Sequence, residues 1–374
     1  MSKTLVIVLS ETRAHELTFN NFKENVIDRL DADLCICIGI KPDYNYNNPY
    51  YQLAKYKFLY PEPEDYGDAF EYAYNILCKN RPKYEKLLNI NTLYGQLSSP
   101  KQSTNNITYY GDDSNIDIEN LDDDEIVLHT TDFFDYNWYN QLYGIKKSNN
   151  NIHFQQNVIT YKKPLYWREF LKIKDQFLGG IRDNQNQHPG SAGILIFFRW
   201  FLLKNLIDND LLDKYDRFII TRSDFLYQLP HPKLEYLNPA NIWIPNGEYY
   251  NGYTDRHVIL SKTNIENYLN IFNNFVFRSN EMYLKMLNRN DWNLESVIKL
   301  NFELNNVINL VKEIPYIMYS VRNHNGTTRW NYGVYSYTYN YYIKYQSEYD
   351  KSAMYKNEFN RSNLTIDEFY IKKL

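Results

Sequence analysis

The segment Tyr215-Asp216-Arg217-Phe218-Ile219-Ile220-Thr221-Arg222-Ser223-Asp224 constrains this chain more than any other stretch. A short apolar, β-branched run bounded by polar groups has the character of a strand buried on both faces, and such strands belong to sheets covered by helices. The abrupt change to Arg222-Ser223-Asp224 sets a charged cluster at the carboxyl end of that strand, where open α/β sheets keep their ligands. A second polar cluster, Gly247-Glu248-Tyr249-Tyr250-Asn251-Gly252-Tyr253-Thr254-Asp255-Arg256-His257, leads into another apolar run, Val258-Ile259-Leu260. The two clusters together point to a site; neither alone does.

The rest of the chain supplies the elements such a sheet needs. Thr4 to Ser10 reads as a buried strand, Phe19, Phe22, Val26 and Leu30 recur at helical spacing, and Asp33 to Ile40 reads as a second strand. This is a βαβ unit. Its first loop, Ser10 to Glu16, lacks the glycine-rich fingerprint of dinucleotide folds, which argues against a redox cofactor. Arg13 in that loop has two readings, a partner for a diphosphate or base and a surface arginine beside helix acids. Helices are expected over Pro164 to Phe177 and Gly190 to Asn209, a short strand over Asn241 to Pro245, helices over Asn264 to Leu287, and a helix capped by Asn293. Arg199, alone among Phe197, Phe198, Trp200 and Phe201, is either paired structurally or directed at an anionic ligand. Alternating strands and helices predict an α/β fold with a central, mostly parallel sheet flanked by helices, organised as one domain over residues 1–374. The polar stretch at about 98–124, with its acidic run Asp122-Asp123-Asp124-Glu125, reads as an external loop or insertion. In the aromatic-rich segment 329–374, Tyr335, Tyr337, Tyr339, Tyr341, Ile343 and Tyr345 alternate as one strand would, with packing on the domain or stacking on sugars as the two uses of that face.

Bulk properties narrow the function. A formal net charge of −4 and a pI near 6.0 offer no general attraction to nucleic acid or anionic lipid, so polynucleotide chemistry is disfavoured. Of three cysteines, Cys35 and Cys37 fall on one face of a strand, which predicts buried free thiols in a reducing compartment. Met1 to Thr4 runs directly into the first strand without a signal-peptide pattern, so the expected location is the cytoplasm. The most apolar segment, Gly193 to Leu206, is broken by Arg199 and Lys204 and falls short of the roughly 20 residues that span a bilayer.

Three passages, by order and spacing, resemble nucleotide-sugar glycosyltransferases of the GT-A type, in the group that includes lipopolysaccharide- and capsule-type enzymes and giant-virus proteins. The first is the opening strand with Arg13, Phe22, Asn25 and Ala32-Asp33-Leu34-Cys35; the second is Arg199 followed by Tyr215-Asp216 and Arg222-Ser223-Asp224; the third is Asn251 to Ile259. The resemblance implies a GT-A-like Rossmann-type domain that moves a sugar from a UDP- or GDP-sugar to a glycan or glycoprotein acceptor. It implies donor contacts from Arg13, Arg199, Arg222, Ser223 and Asp224, and acceptor contacts from Tyr250, Asn251 and Arg256. It also implies a divalent cation, Mn2+ or Mg2+, that bridges Asp224 to the phosphates, with His324 completing the shell. Here Arg222 stands where the group's two-acid motif has its first carboxylate, and that guanidinium could itself screen a diphosphate. For an inverting transfer, Asp255 is the first choice of base and Glu248 the second. The alternative is a non-catalytic glycan-binding or structural protein that keeps the fold.

Overall fold

Strand β1 (Thr4–Val8) is buried at every position, as a Leu-Val-Ile run without polar alternation requires of a strand covered on both faces. It pairs in parallel with β2 (Asp33–Ile40) on one side and β6 (Arg217–Thr221) on the other, and β2 pairs in parallel with β3 (Tyr56–Pro61). Beyond β6 lies β9 (Val258–Ser261), antiparallel, followed by β8 (Ile242–Pro245) and β10 (Val311–Ile314), which are parallel to each other. The result is a seven-stranded, mostly parallel mixed sheet in the order β10-β8-β9-β6-β1-β2-β3. The expected α/β fold, with β6 inside the sheet, is therefore present.

This computed structural model describes residues 3–9, 11–79, 125–127, 160–162, 165–173, 177–182, 188–324 and 332–374. The loop expected at about 98–124 lies outside them. The sequence reads as one domain; the structure groups into two compact units, one made of Met1–Phe70, Gln176–Phe272 and Trp292–Leu374, the other of Glu71–Asp175 and Asn273–Asp291. The first unit holds the large sheet. On one face Val6, Val8, Leu34, Ile36, Ile38 and Ile219 pack with Phe22 and Val26, and with Phe369 and Tyr370 of the last helix, Ile366–Lys373. The alternate residues Leu5, Ile7, Cys35, Cys37, Phe218 and Ile220 are equally buried and face the other way. There the helix Ala192–Asp208 covers the sheet: the Cys37 thiol reaches the Phe198 carbonyl at 3.9 Å and the Phe197 ring meets Tyr60 of β3 at 4.7 Å. Both thiols are free, and burial pushes them above the usual range. In the second unit β4 (Glu125–Val127) pairs antiparallel with β5 (Thr160–Lys162), and a short 3-10 helix, Trp167–Lys172, stands within the longer helix expected from residue 164.

A smaller sheet in the order β12-β13-β11-β7 completes the first unit, formed by β7 (Phe225–Tyr227), β11 (Met318–Arg322), β12 (Val334–Ser336) and β13 (Tyr341–Ile343). The tyrosine alternation expected as one strand is here a hairpin. Asn340 adopts a left-handed conformation at the turn, φ +58°, and the rings pair across the strands, as Tyr335 does with Tyr342 at 5.1 Å. Two helices at the end of the chain, Gln346–Arg361 and Ile366–Lys373, were not expected from the aromatic composition. Thr365 and Glu368, a capping box, are the legible signal for the second.

Behind β6 runs a directional chain of buried hydrogen bonds. The Pro232 carbonyl can only accept, so His231 donates from Nδ1 (2.7 Å) and its Nε2 accepts from His257 Nε2 at 3.4 Å. His257 Nδ1 then accepts from the Thr221 hydroxyl (3.0 Å), which in turn accepts from Tyr227 (3.1 Å). A proton added to His231 would set two N–H groups against each other, and one added to His257 would face the hydroxyl proton of Thr221. Burial accordingly pulls His231 down to about 4 and His257 well below its ordinary value. An unfolded imidazole protonates near pH 6.5, so the unfolded state binds more protons below that point and stability is lost as pH falls from about 6.5 toward 4. We expect His231→Gln to flatten this slope in urea denaturation across that window. A slope equal to that of the parent would show that the pair is not its source.

Candidate functional site

The chain passes from the large sheet into the small one through only Arg222-Ser223-Asp224, between Thr221 at the end of β6 and Phe225 at the start of β7. After β1 the chain turns toward β2 and β3, whereas β6 lies on β1's other side, so this link borders a topological switch point, where α/β sheets open a crevice. The β1 loop is held against it. Ser223, fully buried, donates its hydroxyl to the Glu11 carbonyl (2.8 Å), and its own carbonyl accepts from the hydroxyls of Thr18 (2.6 Å) and Tyr50 (3.0 Å). Ser223 thus pins the loop that carries Arg13 and is turned away from any donor, a correction to its expected role. Tyr50 and Thr18 perform a positioning task that no motif announces.

Asp224 is 1 % exposed. Arg222 grips it with two parallel bonds, Nε to Oδ1 at 2.9 Å and Nη2 to Oδ2 at 2.8 Å, while Arg322 at the end of β11 donates Nη1 to Oδ2. Burial alone would raise this carboxyl; the two guanidiniums hold it well below the usual carboxylate range. Lys344, just past β13, is also nearly buried, and its ammonium stands 4.8 Å from the Tyr345 ring. Burial, then the nearby charges of Arg222 and Arg322, pulls it down to about 6. Three basic side chains therefore surround one acid.

Two cavities flank this array. One, of about 120 Å³, is lined by Arg13, Arg222 and Lys344 together with Gly39, Tyr66 and Phe198; the other, of about 240 Å³, lies between the Glu11–Glu16 loop and Arg322-Asn323. Glu11 and Arg13 belong to both walls. Their ion pair is partly exposed, with side chains 39 % and 26 % accessible, and a pair of that kind contributes only about 0–1 kcal/mol. A more highly charged anion could take Arg13 from it.

The donor set at Asp224 does not fit a divalent cation. Both carboxylate oxygens are already occupied by guanidinium donors, and any cation placed there would face Arg222, Arg322 and Lys344. His324, the expected second ligand, is exposed, with its ring against Tyr335 and Tyr342. Among the described residues no group of three His, Cys, Asp or Glu side chains is arranged to hold a metal.

Arg199 is also corrected. It is fully buried, donating to the Leu195 carbonyl (3.2 Å), the Asp255 carbonyl (3.1 Å) and the Tyr268 hydroxyl (3.1 Å), so it fastens the backbone of Asp255 and cannot reach a donor. The loop it fastens is strained: Gly247, Glu248, Tyr250 and Asn251 have φ of +139°, +56°, +42° and +68°. Gly252 follows because the turn presses on the helix Leu294–Leu304, where an added Cβ would lie 1.9 Å from the Glu295 carbonyl oxygen. Arg256, 7 % exposed, pairs with the fully buried Glu348 and lies 4.2 Å over the Tyr345 ring, so its guanidinium is spent inside the protein rather than offered to an acceptor. Glu348 also accepts from Tyr316 (3.0 Å) and from the Ser320 amide (2.7 Å). Glu248 accepts from Tyr250 and Ser347, whereas among the described residues the Asp255 carboxylate makes its one ion pair with Arg256, at 3.6 Å. Tyr250 and Asn251 are exposed beside it. Glu295, which the sequence reading missed, is raised to about 7 by burial and then by the charge of Asp255.

No protein-family model, curated protein or solved structure matches the chain. Function rests on the site itself. Removing one partner from a buried ion pair costs about 3–5 kcal/mol. We therefore expect Asp224→Asn, which strands the buried Arg322 and weakens the grip on the partly exposed Arg222, to lower unfolding free energy by about that amount in chemical denaturation. A loss below about 1 kcal/mol would remove Asp224 from the role of clamp.

Proposed function

We propose that this chain is a GT-A-type glycosyltransferase that moves a sugar from a UDP- or GDP-sugar to a glycan or glycoprotein acceptor. One observation carries the reading: a crevice at the carboxyl ends of β1 and β6 is walled by Arg13, Arg222 and Lys344, and the Asp255 carboxylate belongs to the same charge network, acting on Arg222. In the transfer, the bond between the anomeric carbon and the diphosphate oxygen breaks as the acceptor oxygen bonds to that carbon. The diphosphate leaves with the electron pair, and the acceptor's proton goes to a base. Cations beside the departing diphosphate stabilise the charge it gathers.

Asp255 is better placed as base than Glu248. Its side chain is 9 % accessible, it accepts no hydrogen bond among the described residues, and Arg199 and Tyr268 hold its backbone, whereas the oxygens of Glu248 are engaged. That rigidity is what proton transfer at a fixed distance requires. We expect Asp255→Asn to keep nucleotide affinity and to lower transfer by about 10²-fold or more, measured with a panel of UDP- and GDP-sugars with and without manganese. Unchanged transfer would reassign the base, and parent protein that neither hydrolyses nor transfers any donor would sink the reading itself. The second reading, a glycan-binding protein without catalysis, draws on the β12–β13 hairpin, whose Tyr337 and Tyr339 are 92 % and 46 % exposed. Donor hydrolysis separates the two.

A further inference from the structure

The positions that would hold a metal instead hold an excess of positive charge. Arg222, Arg322 and Lys344 arrive from three separate elements, the ends of β6 and β11 and the residue after β13, and share Asp224 as their common acid. Asp224 does not exhaust them. Nε and Nη2 of Arg322 are buried without a hydrogen-bond partner, and Nη1 of Arg222 and Nζ of Lys344 make no hydrogen bond among the described residues. Buried, unpaired cationic donors are costly, and they persist where a ligand supplies the missing acceptors. Of the other acids nearby, Glu11 pairs with Arg13 and Glu62 with Lys41 at 3.9 Å, while Asp255, whose charge also acts on Arg222, lies 3.6 Å from Arg256. Arg222 and Lys344 both line the smaller cavity, and Arg322 lines the larger.

We infer that Arg222, Arg322 and Lys344 form a binding site for a diphosphate group and do there, as side chains, what a divalent cation would otherwise do. The inference rests on the transferase reading for the identity of the ligand, but its ligand chemistry is that of the diphosphate alone. Guanidinium forks match phosphate oxygens in geometry, and Lys344, held down by burial and its guanidinium neighbours, takes up its proton beside a phosphate anion. The arrangement also accounts for Arg222 at the position where the resemblance places the first of two metal-binding carboxylates: with no cation to hold, a carboxylate there would only repel the phosphates.

Isothermal titration of the full chain with UDP, GDP and inorganic pyrophosphate, in EDTA and again in manganese, tests this. The expected result is that at least one diphosphate binds with a dissociation constant that differs by less than about threefold between the two conditions. Lys344→Gln should then weaken binding by about tenfold or more, the scale of one charge-assisted hydrogen bond, while Lys344→Arg retains it. Thermal melting of both variants checks folding, and the arginine variant carries the test if the glutamine variant does not fold. Binding that appears only with manganese overturns the inference and leaves the transferase reading intact. Binding unaffected by Lys344→Gln removes Lys344 from the site. Donor hydrolysis or transfer without diphosphate binding in EDTA also overturns it, whereas absence of both binding and turnover under every condition sinks the transferase reading along with it.

Discussion

Arg222, Asp224 and Arg322 form the interaction on which the arrangement of this protein depends. Asp224 lies on the three-residue link between two sheets; Arg222 grips it from within the same link, and Arg322 reaches it from β11 of the small sheet. In a buried setting such charges are tolerable only when paired, because the cost of removing them from water is returned by close, directional contacts. The same pairing that ties β11 to the link therefore fixes where Arg222 and Arg322 stand.

A second consequence is that the site carries its own polarity. Burial depresses Lys344, and its guanidinium neighbours depress it further, while Arg256 is neutralised by Glu348 and has Asp255 and Glu248 close by. Arg222 and Arg322 share the single carboxylate of Asp224, so positive charge is left in excess at the crevice, and negative charge gathers along the 247–256 loop. In the proposed transfer, the anionic leaving group and the acceptor that must lose a proton call for environments of opposite sign. The left-handed residues of the loop are the conformational cost of bringing Asp255 there, and Arg199, Asn293 and Gly252 hold it in place.

Much of the scaffold was legible in the chain. Unbroken apolar runs at Thr4–Val8, Asp33–Ile40 and Arg217–Thr221 became the buried parallel strands, and Asn293 caps its helix as its position suggested, accepting from the Ser296 amide. Local rules suffice for such features because strand burial and capping depend on neighbours a few residues away. The hairpin at 334–343 was misread because alternation alone does not reveal a turn, and Asn340 offers only a weak signal for one.

The site divides along the same line. By itself the sequence determined that charged clusters follow the strands at Arg222-Ser223-Asp224 and precede β9 at Asp255-Arg256, since a strand's ends are set by where its apolar run stops. Only the tertiary structure decided what those charges do. Arg322 and Lys344 lie 98 and 120 positions beyond Asp224 along the chain, Ser223 turns inward to the β1 loop, and Arg199 is consumed by the Asp255 carbonyl. No local pattern encodes such partners, because a side chain's protonation, exposure and pairing are set by whatever the fold packs against it.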